Sequence, residues 1–213
     1  MRSREFIIEN LSKPVICVDV QPTYSMWSHG LFSKIINFVN NQTGPVLMFV
    51  NAEEDGQTRD TVKSIKQYWE DIVRGHEWYP EDDDSTYDNP VNWNRFTIDD
   101  KGYGWIRSYM DIDVEPRLII KLIRYMYQKR VNDARELVFP SFGKRTADET
   151  ELYHLVTEFN EEPFIINWTS VAQLKRFDGA YIVGGARLEC LREVELLMNA
   201  FNIKYKRIDS LVY

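Results

Sequence analysis

Short apolar runs alternate along this chain with apolar residues at helical spacing, and the alternation predicts a parallel sheet covered by helices. The runs mark strands at 14–20, 45–51, 137–142, 163–168, 179–184 and 203–208. The helical spacings fall at 30–41, 60–74, 115–133, 147–159, 169–176 and 190–201. Punctuation agrees with these boundaries. Gly44-Pro45 and Glu162-Pro163 stop helices just ahead of strands, because the residue before a proline is pushed out of the helical region. Thr58 to Asp60 offer caps for the second helix, and Thr146-x-x-Glu149 reads as a capping box for the fourth. The expected class is α/β: a doubly wound, mainly parallel sheet of five to six strands with helices on both faces.

Two stretches depart from this regular pattern. From about 75 to 113 no period is visible, yet Trp78, Tyr79, Tyr87, Trp93, Phe96, Tyr103, Trp105 and Tyr109 crowd around the acidic run 81–84 and Asp99-Asp100. So many aromatics argue against disorder, and a loop this long is commonly functional. A lid, a subunit contact, a surface for another protein and a plainly packed insertion all remain open. The helix from Glu115 is apolar on nearly every side, which suggests burial against the sheet and a second subunit, and hence a homo-oligomer.

Composition narrows the classes. At 213 residues the chain can bury one sizeable core, and no repeat divides it, so a single domain over 1–213 with an insertion at about 75–113 is expected. A formal net charge of −7 disfavours nucleic-acid binding, which needs a basic face. No run is long enough to span a membrane, and the charged start Met1-Arg2-Ser3-Arg4-Glu5 lacks the apolar centre of a signal peptide. Two cysteines make no disulfide framework, so a cytoplasmic protein is expected. The histidines His29, His76 and His154 show no metal-ligand spacing, and no phosphate-binding glycine loop is present, so neither metal nor cofactor is expected.

Chemistry concentrates at two strand exits. Lys13-Pro14-Val15-Ile16-Cys17-Val18-Asp19 is a buried-strand pattern with an acid at its end, where ligands bind in open α/β sheets. Alternation puts Val15, Cys17 and Asp19 on one face, and the plain alternative is that Asp19 only caps a turn. The second exit is the run 179–184, which closes in Gly184-Gly185 and leads to Cys190 at a helix start. Helix amides and dipole favour a thiolate there and can hold an oxyanion, although a small core cysteine is the common alternative.

Asp19-x-Gln21 and Gly184-x-Ala186-x-x-x-Cys190 together resemble the motifs of the isochorismatase-like cysteine hydrolases, which include nicotinamidases. The similarity covers roughly 13–55 and 162–210. It implies a Rossmann-like three-layer fold and hydrolysis of a small amide or related carbonyl compound. It further implies catalysis by Asp19 and Cys190, an oxyanion hole at Gly185 and Ala186 shaped by a cis peptide, and substrate contacts from Gln21 and Asn167. This sequence departs from the pattern in several places. Arg187, Leu188 and Glu189 stand where the family has Thr-Asp-x, and the run at 163–168 offers no lysine, which leaves Lys144 beyond 137–142 as the substitute. No histidine follows the second strand, so the zinc or iron site of nicotinamidases is disfavoured. Two functions follow: a C–N hydrolase of small molecules, or a catalytically degenerate member that serves as an oligomeric or partner-binding scaffold.

Overall fold

The structure, a computed structural model, describes residues 11–25, 29–50, 60–75, 90–99, 114–158 and 164–213. These fall into two compact units. The first holds the described residues up to Asp99 together with Phe177–Arg187 and Lys204–Tyr213, and the second holds those from 114 to Arg176 together with Leu188–Ile203.

The first unit is built on a five-stranded, all-parallel sheet. Its strands are β1 (Val15–Val18), β2 (Val46–Phe49), β3 (Phe96–Asp99), β4 (Ala180–Gly184) and β5 (Tyr205–Arg207), in the order β3-β2-β1-β4-β5. From β1 the chain winds one way through β2 and β3, then returns to the other side of β1 for β4 and β5. This is doubly wound topology, consistent with the three-layer α/β class, and its switch point lies between β1 and β4. Every residue of β1 and β2 is buried, as continuous apolar runs in parallel sheets require. A short helix, α1 (Pro22–Ser25), precedes α2 (His29–Asn40), and α3 (Val62–Arg74) follows β2. Val15, Cys17, Val46 and Met48 share a core with Phe32 and Ile36 of α2 and with Tyr68 and Trp69 of α3. Each such apolar side chain contributes about 1.5–3 kcal/mol relative to exposure.

The second unit is helical: α4 (Pro116–Lys129), α5 (Ala147–Glu158), α6 (Trp168–Leu174) and α7 (Cys190–Ala200). In α4 the buried residues are Ile119, Leu122, Ile123 and Met126, a single stripe at helical spacing, while Tyr127 is exposed. The helix is therefore amphipathic rather than buried on several faces. It packs on α7 and α5. Arg124 reaches across to the end of α7, where its Nε donates to the Ala200 carbonyl at 2.7 Å and an Nη to that of Asn199 at 3.2 Å. This cation satisfies carbonyls that a helix terminus otherwise leaves bare. Among the described residues no helix is long and apolar enough to cross a membrane.

Four of the six expected strands form in the sheet, and two do not. At 137–142 Val138 and Phe142 are exposed and Pro140 interrupts the run, so there is no ladder; the stretch ends in a single 3₁₀ turn, Phe142–Lys144. At 163–168 the alternation is real, with Phe164 and Ile166 buried, but it serves one antiparallel bridge between Ile165 and Asp133. Conversely, β3 emerges from the stretch read as aperiodic. It is an edge strand of four residues whose Phe-Thr-Ile-Asp alternation is too short to stand out. The described part of that stretch is a packed corner: Trp93 and Phe96 lie 6.1 and 5.6 Å, centroid to centroid, from Trp69 of α3. Trp78, Tyr87, the acidic run, Trp105 and His76 lie outside the described residues. The second helix starts after Thr61, not after a cap at 58–60; Thr61 and Ser64 exchange the two hydrogen bonds of a capping box.

Candidate functional site

The first unit carries a polar cluster at the carboxyl end of β1, which with β2 is wholly apolar. β1 stops at Val18 because Asp19 takes a left-handed backbone (φ 50), a conformation uncommon outside glycine but tolerated by aspartate. The strand alternation ends there too, so the expected shared face holds for Val15 and Cys17, both in the core, but does not extend by strand geometry to Asp19. Asp19 is 1 % exposed. Its amide donates to the Phe49 carbonyl of β2 at 3.0 Å, and its carbonyl accepts from the Tyr213 hydroxyl at 3.2 Å. The bend is thus anchored by a neighbouring strand and by a residue far along the chain.

The following residues are held just as firmly. Trp69 Nε1 donates to the Val20 carbonyl at 2.9 Å. Gln21, also 1 % exposed, donates its amide to Asp60 Oδ2 at 3.1 Å, and the Thr23 amide donates to the same oxygen at 2.8 Å. Ser25 Oγ donates to the Pro22 carbonyl at 2.7 Å. Asp60 therefore does not cap α3; it pins the turn after β1.

Charge and burial set the chemistry of this cluster. Burial, and then the charge of Asp19, push the Cys17 thiol far above the usual range, so Cys17 is an inert core thiol. Burial likewise pushes the Tyr68 phenol up to about 12; the nearby Ser25 hydroxyl works against the shift and the charge of Asp60 adds to it. Asp99, at the end of β3, is a further buried carboxylate, with its carbonyl accepting from the Val50 amide at 3.1 Å.

Across the switch point β4 ends in two left-handed glycines, Gly184 (φ 75) and Gly185 (φ 68). Gly184 pairs with Val18, and a Cβ there would lie 2.4 Å from the Val18 carbonyl oxygen and 2.6 Å from Val20 Cγ2. Only glycine meets both demands. Beyond it the backbone pairs with the 213 position: the Tyr213 amide donates to the Gly185 carbonyl at 3.3 Å and the Arg187 amide to the Tyr213 carbonyl at 2.8 Å. Among the described residues every peptide bond is trans, so Gly185-Ala186 lacks the cis geometry that the family resemblance implies.

The sequence-derived site residues thus divide. Asp19, Gln21, Gly185 and Ala186 belong to the first unit, and Cys190, Lys144 and Asn167 to the second. Cys190 is half-buried and is the first residue of α7, whose N-cap, Glu189, supplies no side-chain cap. One turn on lies the buried carboxylate of Glu193, on the same helix face. Lys144 is exposed, and the strand expected to present it at a sheet exit is absent. Asn167 caps α6, its Oδ1 accepting from the Thr169 amide at 3.0 Å and the Ser170 amide at 3.4 Å. The side chain of His29 lies outside the described residues, and His154 is exposed on α5.

Sequence reading missed Ser25, Asp60, Tyr68, Asp99 and Tyr213. Tyr68 reads as an ordinary apolar-face residue of α3, and Asp60 as a helix cap, so neither carried a separate signal. Among the described residues no cluster of His, Cys, Asp and Glu could hold a metal ion. No protein-family model, no curated protein and no solved structure matches the chain.

Proposed function

We propose that the chain is a divergent cysteine hydrolase of isochorismatase-like kind, acting on a small amide or related carbonyl compound. The observation that carries this reading is Asp19: a buried carboxylate on a left-handed bend, beside the switch point of a parallel sheet. Ligands of such sheets bind at that crevice, and a backbone held in a sparsely populated region is a common mark of a working site. In the proposed reaction the Asp19 carboxylate takes the Cys190 thiol proton and the thiolate attacks the carbonyl carbon. The amine leaves with that proton, and water then hydrolyses the thioester, which restores the thiol. Cys17 and Cys190 form no disulfide, which fits a reducing, cytoplasmic setting.

Iodoacetamide labelling across pH, read by mass spectrometry, tests the assignment. Cys190 should label faster than a free cysteine at neutral pH, Cys17 should stay unlabelled in the folded chain, and Asp19→Asn should lower the apparent Cys190 pKa, since a neighbouring carboxylate holds a thiol protonated, and so change its labelling rate. Turnover of small aromatic amides should vanish in Cys190→Ser. Cys190 labelling like free cysteine in both backgrounds, with no turnover, would sink the hydrolase.

The trans Gly185-Ala186 bond and the exposed Lys144 favour a second reading, a catalytically degenerate scaffold that forms a homo-oligomer. That reading expects a stable oligomer by light scattering, unchanged by Asp19→Asn or Cys190→Ser.

A further inference from the structure

Three aromatic side chains of the second unit meet where three helix ends converge. Tyr127 is in the last turn of α4, Trp168 opens α6 and Phe201 closes α7. Their ring centroids are 5.1 Å (Tyr127–Phe201), 5.4 Å (Tyr127–Trp168) and 6.3 Å (Trp168–Phe201) apart. The interplanar angles are 75°, 67° and 85° in the same order, so the rings pack edge to face as one cluster at this corner. The Trp168 ring is fixed by a hydrogen bond from Nε1 to the Val131 carbonyl at 3.1 Å.

The corner already holds a cation. Lys175 follows directly on α6, and its Nζ lies 4.4 Å from the Phe201 centroid and 4.6 Å from that of Tyr127, with the Tyr127 hydroxyl 3.5 Å away. Both ring distances are well within cation–π range. Tyr127 is 49 % exposed and Lys175 is exposed, so the corner opens to solvent. Three other cations among the described residues sit differently. Lys13 and Lys206 each approach the single ring of Tyr181, at 5.4 and 5.9 Å. Tyr125 and Phe139 are nearly parallel, at 8°, and so form no corner; Lys129 lies over Tyr125 at 5.0 Å.

We propose that Tyr127 and Phe201, held in place by Trp168, form a binding site for a quaternary ammonium group, with Lys175 as its built-in competitor. A primary ammonium is compact and strongly hydrated, and it gives up water to enter an aromatic corner. A quaternary ammonium has no N–H to leave unsatisfied, and its methyl groups present a larger apolar surface to the rings. An external ligand of that class therefore displaces the lysine rather than joining it.

Nuclear magnetic resonance on the full chain tests this with tetramethylammonium chloride as probe, titrated against sodium chloride at equal ionic strength. In the free protein the Lys175 ε-methylene protons should be shifted upfield by the rings. They should move saturably toward the position of free lysine as the probe is added. Lys175→Ala should bind the probe at least threefold more tightly, since the competitor is gone. Tyr127→Ala and, as a milder variant that spares packing, Phe201→Leu should bind at least tenfold more weakly, with circular dichroism confirming their folds. Choline and free Nε-trimethyl-lysine, titrated separately, distinguish a small-molecule source from a modified side chain, and saturation by either supports the site. No saturable shift up to about 100 mM probe, the same shift with sodium, or no gain in Lys175→Ala would overturn the proposal.

Discussion

Two segments of this chain are written in nearly the same way and fold differently. Pro14-Val15-Ile16-Cys17-Val18-Asp19 and Pro163-Phe164-Ile165-Ile166-Asn167 each set a proline before an apolar run and an Asp or Asn after it. The first becomes β1, the central strand, paired on both edges and ending in a buried carboxylate. The second makes one antiparallel bridge, and its asparagine caps a helix. The apolar pattern fixed burial in both cases, since Phe164 and Ile166 are as hidden as Val15 and Cys17. Pairing depended instead on what lay alongside: β1 finds β2 and β4 in register, whereas the backbone of 164–166 pairs with 132–134 in a single bridge.

If that contrast is sound, the exit of β1 should be the more fragile of the two. Gly184→Ala should have the largest effect, about 3–5 kcal/mol of lost stability by urea denaturation, because a methyl group there meets the Val18 carbonyl on a left-handed backbone. A loss below about 1 kcal/mol would mean that β1 and β4 are not packed as described.

Asp19→Ala should cost about 1–2 kcal/mol more than Asp19→Asn, since asparagine tolerates the left-handed bend and alanine does not. Equal losses would remove the strain from the account. At the other exit Asn167→Ala should cost about 1 kcal/mol, the ordinary loss of a helix cap, and Asn167→Asp close to nothing.

The last expectation concerns pH. The Tyr68 phenol titrates near 12 in the folded chain against an ordinary value of 10. The unfolded chain therefore releases that proton first as pH rises. The contribution of Tyr68 to stability is complete below about pH 10 and is lost between 10 and 12. Thermal melts across that interval should fall more steeply for the native chain than for Tyr68→Phe, and parallel curves would contradict the assignment.

Much of the sheet was legible because β1, β2 and β4 are runs whose burial is almost total and whose ends are marked by proline or glycine, while β5, partly exposed, was read from its place after the last helix. β3 was not, because an edge strand half exposed to water needs no strong pattern, and its four residues lie among aromatics with a different job. The false strand at 137–142 shows the converse: Val138 and Phe142 are apolar in sequence yet exposed in the fold. At the site, Asp19 and Gln21 were visible through position alone. Asp60 and Tyr213 were not, because they reach Gln21 and Asp19 across 39 and 194 residues of chain, and no local spacing encodes such a contact.

The pairing of Val18 with Gly184 also bears on the order in which the chain can fold. β1 can dock on β2 as soon as the first quarter of the chain is made, but its other edge waits until β4 emerges from the ribosome much later. For that interval the most apolar strand of the sheet carries a row of unpaired backbone groups, the kind of edge that captures a second nascent chain. Closing it requires a contact of long sequence separation, which slows folding at any stability. Expression at low temperature, or with chaperones that shield strand edges, should raise the yield of native protein more than any stabilising substitution on the surface.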